Sequence, residues 1–350
     1  MNAYRIFKRI AACLILVCCT AGCAGSPRPA EAPPSMAGYS GPVTLYCSMQ
    51  EEEIQAIKEG FEAKYPQITM NYFFAGTNKV LTKLATEMQS GEISADLVWT
   101  GAPSDYRKLK ENRYLSPYIS PQAININEAF MDEHHYYIGG RLMSAVIAYN
   151  TDLVSEEDAP RTWDDLLDPN YKDVFVWANP TTAGGAYIAT ACQIFRLGED
   201  AAWDYLKALD QNVHHYYKGA GDVISPVATG EFIASIAWAH DSFKIQQQGY
   251  PLKLIIPKQT AYEIGGSAII KGGPNTENAK VFIDWLLTKE AQELSVATSY
   301  RYPVRTDVAA PVGLPTLEEV DLVDYDRDQA ASMKEAVLEK FDAEIISNRA

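Results

Sequence analysis

The hydrophobic period of the chain switches repeatedly between two residues and three to four, and that alternation limits the fold more than any other feature. Val43 to Ser48 alternates as a β-strand. Ile54, Ile57, Phe61 and Tyr65 then share one face of a helix that opens on three glutamates, where the helix dipole favours negative charge. Ile68 to Ala75 and Ala95 to Thr100 read as further strands, with a helix from Asn78 through Met88 between them. Strand, helix, strand, helix, strand predicts an α/β fold with a parallel sheet and right-handed crossovers. After an apolar strand at Met143 to Tyr149, a second series predicts a strand at Val174 to Trp177 and helices at Gly185 to Leu197 and Asp200 to Asp210. Strands at Phe232 to Trp238 and Leu252 to Ile256 complete a second sheet. From Ala268 the pattern is helical and ends in an amphipathic helix near Met333 to Ile346.

A chain that builds one sheet, crosses to a second and crosses back makes two lobes joined by two strands. The crossovers are expected near Met143 to Asn150 and Tyr262 to Ile270, which assigns residues 42–143 and 268–350 to lobe 1 and 144–267 to lobe 2. Ligands of open α/β sheets sit outside the carboxyl ends of the strands, so the facing loops of two such lobes form one cleft.

The N-terminus sets the compartment. Arg5, Lys8 and Arg9 precede an apolar run from Ile10 to Thr20, and Ala21, Gly22 and Cys23 follow, the order of a secretory signal. The small residues before Cys23 resemble a lipobox, although Thr20 stands where leucine is usual. Residues 1–23 are therefore read as a lipoprotein signal with Cys23 acylated, and proline-rich residues 24–41 as a flexible tether. Four of the six cysteines lie in the signal, leaving Cys47 and Cys192 in the folded part and excluding a disulfide scaffold. Beyond residue 23 the chain carries 27 basic and 45 acidic residues, a net charge of −18. That balance argues against nucleic acid or an anionic lipid surface as partner, but not against a small anion held locally by helix N-termini.

Several blocks resemble the bacterial extracellular solute-binding proteins of ABC importers. They are Leu45 to Ser48, Gly60 to Pro66, Ala95 to Trp99, Ala148 to Thr151 with Thr162 to Leu166, Ala178 to Gly184, and Phe282 to Leu287, in that order along the chain. The resemblance implies a two-lobed periplasmic-binding-protein-like (type II) fold with a hinge of two crossover strands. It implies an exported monomer, at the periplasm or cell surface, that delivers a small solute to permease subunits in the inner membrane. The nearest branch includes ferric-iron, phosphonate and sugar-phosphate receptors. Its ferric sites use paired tyrosines after a second-lobe strand, where this chain has His240 and Asp241. That departure favours a polar organic anion, an organophosphate, sugar phosphate or phosphonate, with ferric iron as the alternative.

The candidate ligand-binding residues lie at predicted strand ends. Ser48 and Thr77 each offer a hydroxyl to a ligand or to a helix cap. Thr181, Thr182 and Gly184 open a second-lobe helix and make the strongest anion cradle. His240 and Asp241 suit sugar hydroxyls, a nearby phosphate pushing the imidazole toward its charged form. Glu263, at the return crossover, offers a further carboxylate. Trp99, Trp177 and Trp238 could stack on a sugar ring but read as core, and Arg301 and Arg305 suit a phosphate but read as surface by default. The tetrapeptides from His134 to Tyr137 and from His214 to Tyr217 read as two strands with aromatic exteriors rather than a metal site. No nucleophile elbow, zinc helix or phosphate loop is present, so neither an enzyme nor a cofactor is expected.

Overall fold

The structure, a computed structural model, describes residues 38–101 and 103–349. The signal, Cys23 and most of the expected tether lie outside these residues. The first series is β1 (Gly41–Cys47), α1 (Glu51–Lys64), β2 (Ile68–Phe74), α2 (Thr77–Ser90), β3 (Leu97–Trp99), α3 (Pro103–Glu111) and β4 (Leu115–Ser116). The second is β5 (Ile138–Asn150), β6 (Phe175–Ala178), α4 (Gly184–Leu197), α5 (Glu199–Asp210), β7 (Val213–Tyr217), α6 (Ile224–Ala228), β8 (Ala234–Trp238), α7 (Ala239–Gln247) and β9 (Leu252–Ile255). The chain returns through β10 (Tyr262–Ile270) and ends in α8 (Thr276–Leu286), α9 (Lys289–Ser299) and α10 (Arg327–Glu344).

The strands run β2-β1-β3-β10-β5-β8-β6-β7, with β4 on β10 and β9 on β5. Pairing is parallel within β1–β3 and within β6–β8, as the alternating period predicts, and antiparallel wherever β5 or β10 takes part. The half of β5 from Ile138 to Ser144 pairs with β10, and the half from Ala145 to Asn150 lies between β8 and β9. One strand thus belongs to both lobes. All thirteen of its residues are buried, the burial expected of a strand covered on both faces. It starts at Ile138 rather than Met143 because Gly139, Gly140 and Arg141 interrupt the apolar pattern without interrupting the strand. Gly140 is required by packing, since a Cβ there would meet the Trp99 ring at 3.0 Å.

Leu45, Phe61, Trp99, Phe282 and Trp285 centre the first core, where Phe61 meets Phe282 edge-on at 5.2 Å. Trp163, Trp177, Tyr187 and Leu206 centre the second. The final helix joins the second core: Ala330, Val337 and Phe341 of α10 are buried in it, and Phe341 packs edge-on against Trp177 at 6.1 Å. The expectation that the whole chain after Ala268 belongs to the first lobe fails for this helix. The chain crosses once more, beside the hinge, where Thr260 N–H donates to Asp321 O and Val323 N–H to Thr260 O. His134 to Tyr137 forms a turn instead of a strand, because the Asp132 carboxylate accepts the backbone N–H groups of His134 and Tyr136. His214 to Tyr217 does lie in a strand, β7.

Phe341→Ala is expected to destabilise the protein by about 3–5 kcal/mol, read as a lower urea midpoint at unchanged m-value. An unchanged midpoint would mean that α10 contributes nothing to the second core.

Candidate functional site

The two parallel sets run in opposite directions, so the carboxyl ends of β1 and β2 face those of β6 and β8 and the helices that follow them start at the gap between the lobes. That gap is a cleft of two adjoining chambers that share Thr77, Gly101, Met143 and Trp238. The larger, about 750 Å³, holds Thr77, Thr181, Thr182, Gly184 and Glu263. The other, about 650 Å³, holds Ser48, Thr77, His240 and Asp241. Every candidate residue named above, apart from Cys23, therefore lines the cleft.

The helix starts differ in charge. The first turn of α1 carries Glu51, Glu52 and Glu53, and that of α7 carries Asp241. Those of α2 and α4 carry no acidic residue and no side-chain cap. Their first backbone N–H groups are left without intrahelical partners and with the positive end of the dipole uncompensated. Both helices open into the larger chamber, one from each lobe. At the α4 turn Thr181 Oγ1 donates to Asn179 Oδ1 at 2.8 Å and Thr182 Oγ1 to Lys218 O at 2.9 Å. The donors left for an anion are hence the N–H groups of Gly184 and Gly185 rather than the two hydroxyl hydrogens. Gly185 also lets Trp238 lie against the turn, since a Cβ would meet its Nε1 at 2.5 Å. Trp99 and Trp177 are core, as expected, whereas Trp238 forms part of the cleft wall.

In the smaller chamber His240 and Asp241 sit in the first turn of α7, beyond the end of β8 at Trp238. Asp241 makes no cap; its Oδ1 accepts from Gln50 Nε2 at 3.3 Å across the cleft. Burial, with Arg301 and Arg141 nearby, pushes the buried His240 well below its ordinary value. The shift favours the neutral ring; Nδ1 has no partner among the described residues and Nε2 lies 3.4 Å from Asp241 Oδ1. Burial raises the Asp241 carboxyl, against the pull of Arg301.

Two arginines stand behind this pair: Arg141, which the sequence did not single out, and Arg301, which it offered to a phosphate but placed at the surface by default. Arg141 of β5 and Arg301 each direct Nη1 at Glu53 Oε2, at 2.5 and 2.7 Å, and both line the smaller chamber. Arg301 and Arg305 are 6% and 7% exposed, which overturns their assignment to the surface. Arg305 is held by Asp307 and Leu287 O and lies outside both chambers. Burial raises the Glu53 carboxyl, but Arg141 and Arg301 outweigh it and hold the group below the usual carboxylate range. Burial pulls Arg301 down to about 10, so it stays charged. One carboxylate between two guanidiniums leaves a local excess of one positive charge. The signal in the sequence was Arg141 itself, a charge inside an otherwise apolar strand.

Glu53→Gln leaves two buried guanidiniums without their counter-charge and is expected to destabilise the protein by about 3–5 kcal/mol at pH 7. The Glu53 contribution is present above the unfolded carboxylate range and lost as pH falls through the lowered folded value, so the two proteins should converge in acid. Glu263 behaves oppositely. Burial pushes it up to about 7, so its contribution is full below the unfolded value and lost as pH rises from there to about 7. Glu263→Gln should remove about 3 kcal/mol of that pH dependence, measured as unfolding free energy at pH 5 and pH 8.

Comparison with known proteins places this geometry in a family. The profile described as "Bacterial extracellular solute-binding protein" matches residues 56–320. A Salmonella typhi protein designated, provisionally, a 2-aminoethylphosphonate-binding periplasmic protein is 28% identical over 249 residues, 69% of this chain and 71% of its own length. The Fe(3+)-binding periplasmic protein of Serratia marcescens is 24% identical over 302 residues, 83% of this chain and 87% of its own. The periplasmic binding protein AfuA of Actinobacillus pleuropneumoniae, solved with exogenous fructose-6-phosphate bound, superposes with a TM-score of 0.78. It is 28% identical, over 88% of this chain and 99% of that one. The chain belongs to the bacterial extracellular solute-binding proteins, a family of transport proteins, and is a periplasmic solute-binding protein of an ABC importer.

Proposed function

We propose that the protein captures a small organic anion, a phosphate ester or phosphonate, between α2 and α4 and hands it to a permease. The observation that carries this reading is the pair of helix starts, one in each lobe, that face one chamber with no acidic residue in their first turns. An anion touching both gains from two dipoles and from free N–H groups on both sides. The same contacts exist only when the lobes approach, which gives the ligand its differential affinity for the closed form. Candidate roles follow from position. Thr77, Thr181, Thr182 and Gly184 surround the anion, and Ser48, His240, Asp241 and Glu263 take the polar remainder of the molecule. The names of the phosphonate-binding relative and of the fructose-6-phosphate complex support this chemistry. Ferric capture is less favoured, because His240 and Asp241 stand after the second-lobe strand where the ferric sites of the family carry paired tyrosines. Lipid anchoring at Cys23 and a monomeric state complete the proposal.

Gly184→Asp tests it directly. No atom lies within 4 Å of a Cβ at Gly184, and aspartate suits the first turn of a helix, so the fold should be kept. The new carboxylate occupies the anion position. Binding of fructose 6-phosphate or 2-aminoethylphosphonate, whichever the unmodified protein takes, should weaken by roughly a hundredfold or more in calorimetric titration. Unchanged affinity in a folded variant would move the anion elsewhere in the cleft.

A further inference from the structure

Glu263 closes the hinge end of the larger chamber, and residues of several other elements face it. Arg327, the first residue of α10, holds Nε 3.8 Å from Glu263 Oε1, beyond hydrogen-bond length. Its Nη2 donates to Tyr262 O at 3.2 Å and its guanidinium lies over the Tyr262 ring at 4.3 Å, which fixes the side chain against the hinge strand. Glu263 Oε1 accepts the N–H of Ile264 at 2.8 Å, and Arg327 Nε has no acceptor among the described residues. Asp105 of α3, Lys334 of α10, Tyr187 of α4 and Tyr325 line the same chamber. A carboxylate and a guanidinium that pair at 3.8 Å without a hydrogen bond between them suit a group that donates and accepts at once. A hydroxyl is such a group, and on a phosphorylated ligand it is the one that a polyol supplies. Glu263 and Asp105 on one side and Arg327 and Lys334 on the other balance in charge, so the wall favours a neutral group over a second anion or a cation.

We propose that α10 is part of the binding site: Arg327 and Glu263 together hold a hydroxyl of the ligand, so the receptor selects a phosphorylated polyol over a phosphonate that carries no hydroxyl. This inference rests on the α2–α4 anion site and narrows its ligand class. A site built to hydrogen-bond a hydroxyl rejects an analogue that lacks it, because its own buried polar groups are then left unpaired. Proton coupling follows. Burial is the largest influence on Glu263 and raises it to about 7; Arg327, the Ile264 N–H and Lys334 pull it down, and Asp105 pushes it up. The hydroxyl donates to the carboxylate, so affinity for the polyol phosphate rises as pH passes upward through that value. The second ionisation of a phosphate ester, near pH 6, acts in the same direction. Glu263→Gln separates the two effects, because only the Glu263 part disappears.

The experiment is calorimetric titration of the purified protein with fructose 6-phosphate and with 2-aminoethylphosphonate between pH 6 and pH 8. The expected result is tighter binding of fructose 6-phosphate, a loss of about 10–100-fold for that ligand in Arg327→Gln, and no comparable loss for the phosphonate. Arg327→Lys keeps the charge and loses the planar donor edge, so it should fall short of the unmodified protein; circular dichroism checks that both variants fold. The ligand comparison in the unmodified protein needs no variant. Equal or tighter binding of the phosphonate overturns the inference, as does fructose 6-phosphate affinity that is indifferent to Arg327→Gln. Binding of neither compound overturns instead the anion reading beneath it.

Discussion

Everything about the cleft follows from one strand being shared by two sheets. β5 pairs with β10 up to Ser144 and with β8 and β9 from Ala145 onward. A register slip of one residue on either side would turn every side chain of that half to the opposite face. With β5 buried along its whole length, such a slip would bury polar groups on one side and expose apolar ones on the other. The junction between Ser144 and Ala145 is thus fixed by both cores at once. Because the strands of each lobe are parallel within themselves, their carboxyl ends, and the helix starts after them, are directed to that junction.

The second constraint is electrostatic. A chain with a net charge of −18 beyond its signal segment repels anions at long range, so any attraction has to be local. The first turns of α1 and α7 are occupied by acidic residues of the chain itself, and those of α2 and α4 are not. The Arg141–Glu53–Arg301 cluster supplies a fixed positive excess at the floor of the neighbouring chamber. It also accounts for a neutral His240, since two guanidiniums and burial all oppose its protonation. Without a ligand the smaller chamber therefore favours His240 as a neutral hydrogen-bonding group.

What the sequence made legible was local. Strand ends followed by small or hydroxyl residues and then a helical period place Ser48, Thr77, Thr181, Thr182 and Gly184 at the cleft, because a turn and the helix after it are encoded within a few residues. His240 and Asp241 were placed by the strand end before them together with the resemblance, and Glu263 by its position at the return crossover, and the structure brings all three to the same cleft. The misses are non-local. Arg301 and Arg305 look like surface residues until α1, α8 and α9 pack over them, and nothing near Arg327 in sequence announces that α10 will leave the first core. Phe341 and Val337 have an amphipathic spacing that specifies a buried face but not which core buries it. Trp238 was read as core because aromatic residues at strand ends usually are; it is diverted to the cleft wall by the missing side chain of Gly185.

The contacts that already span the cleft bear on how the receptor closes. Gln50 reaches Asp241, Lys244 pairs with Glu52, and Arg107 of α3 pairs with Asp328 of α10. Glu52 and Asp328 are exposed at 76% and 86%, and exposed pairs of this kind contribute little and are screened by salt. They orient one lobe against the other without committing the protein to a closed state. The groups able to commit it are the buried ones without a hydrogen-bond partner among the described residues, which include His240 Nδ1, Arg141 Nε, Arg301 Nε and Arg327 Nε, together with the free N–H groups of α2 and α4. Such groups stay unpaired at a cost until a ligand supplies their partners. A ligand that satisfies them from both sides at once shifts the equilibrium by its differential affinity for the closed form, whereas an anion held by one lobe alone binds without closing it.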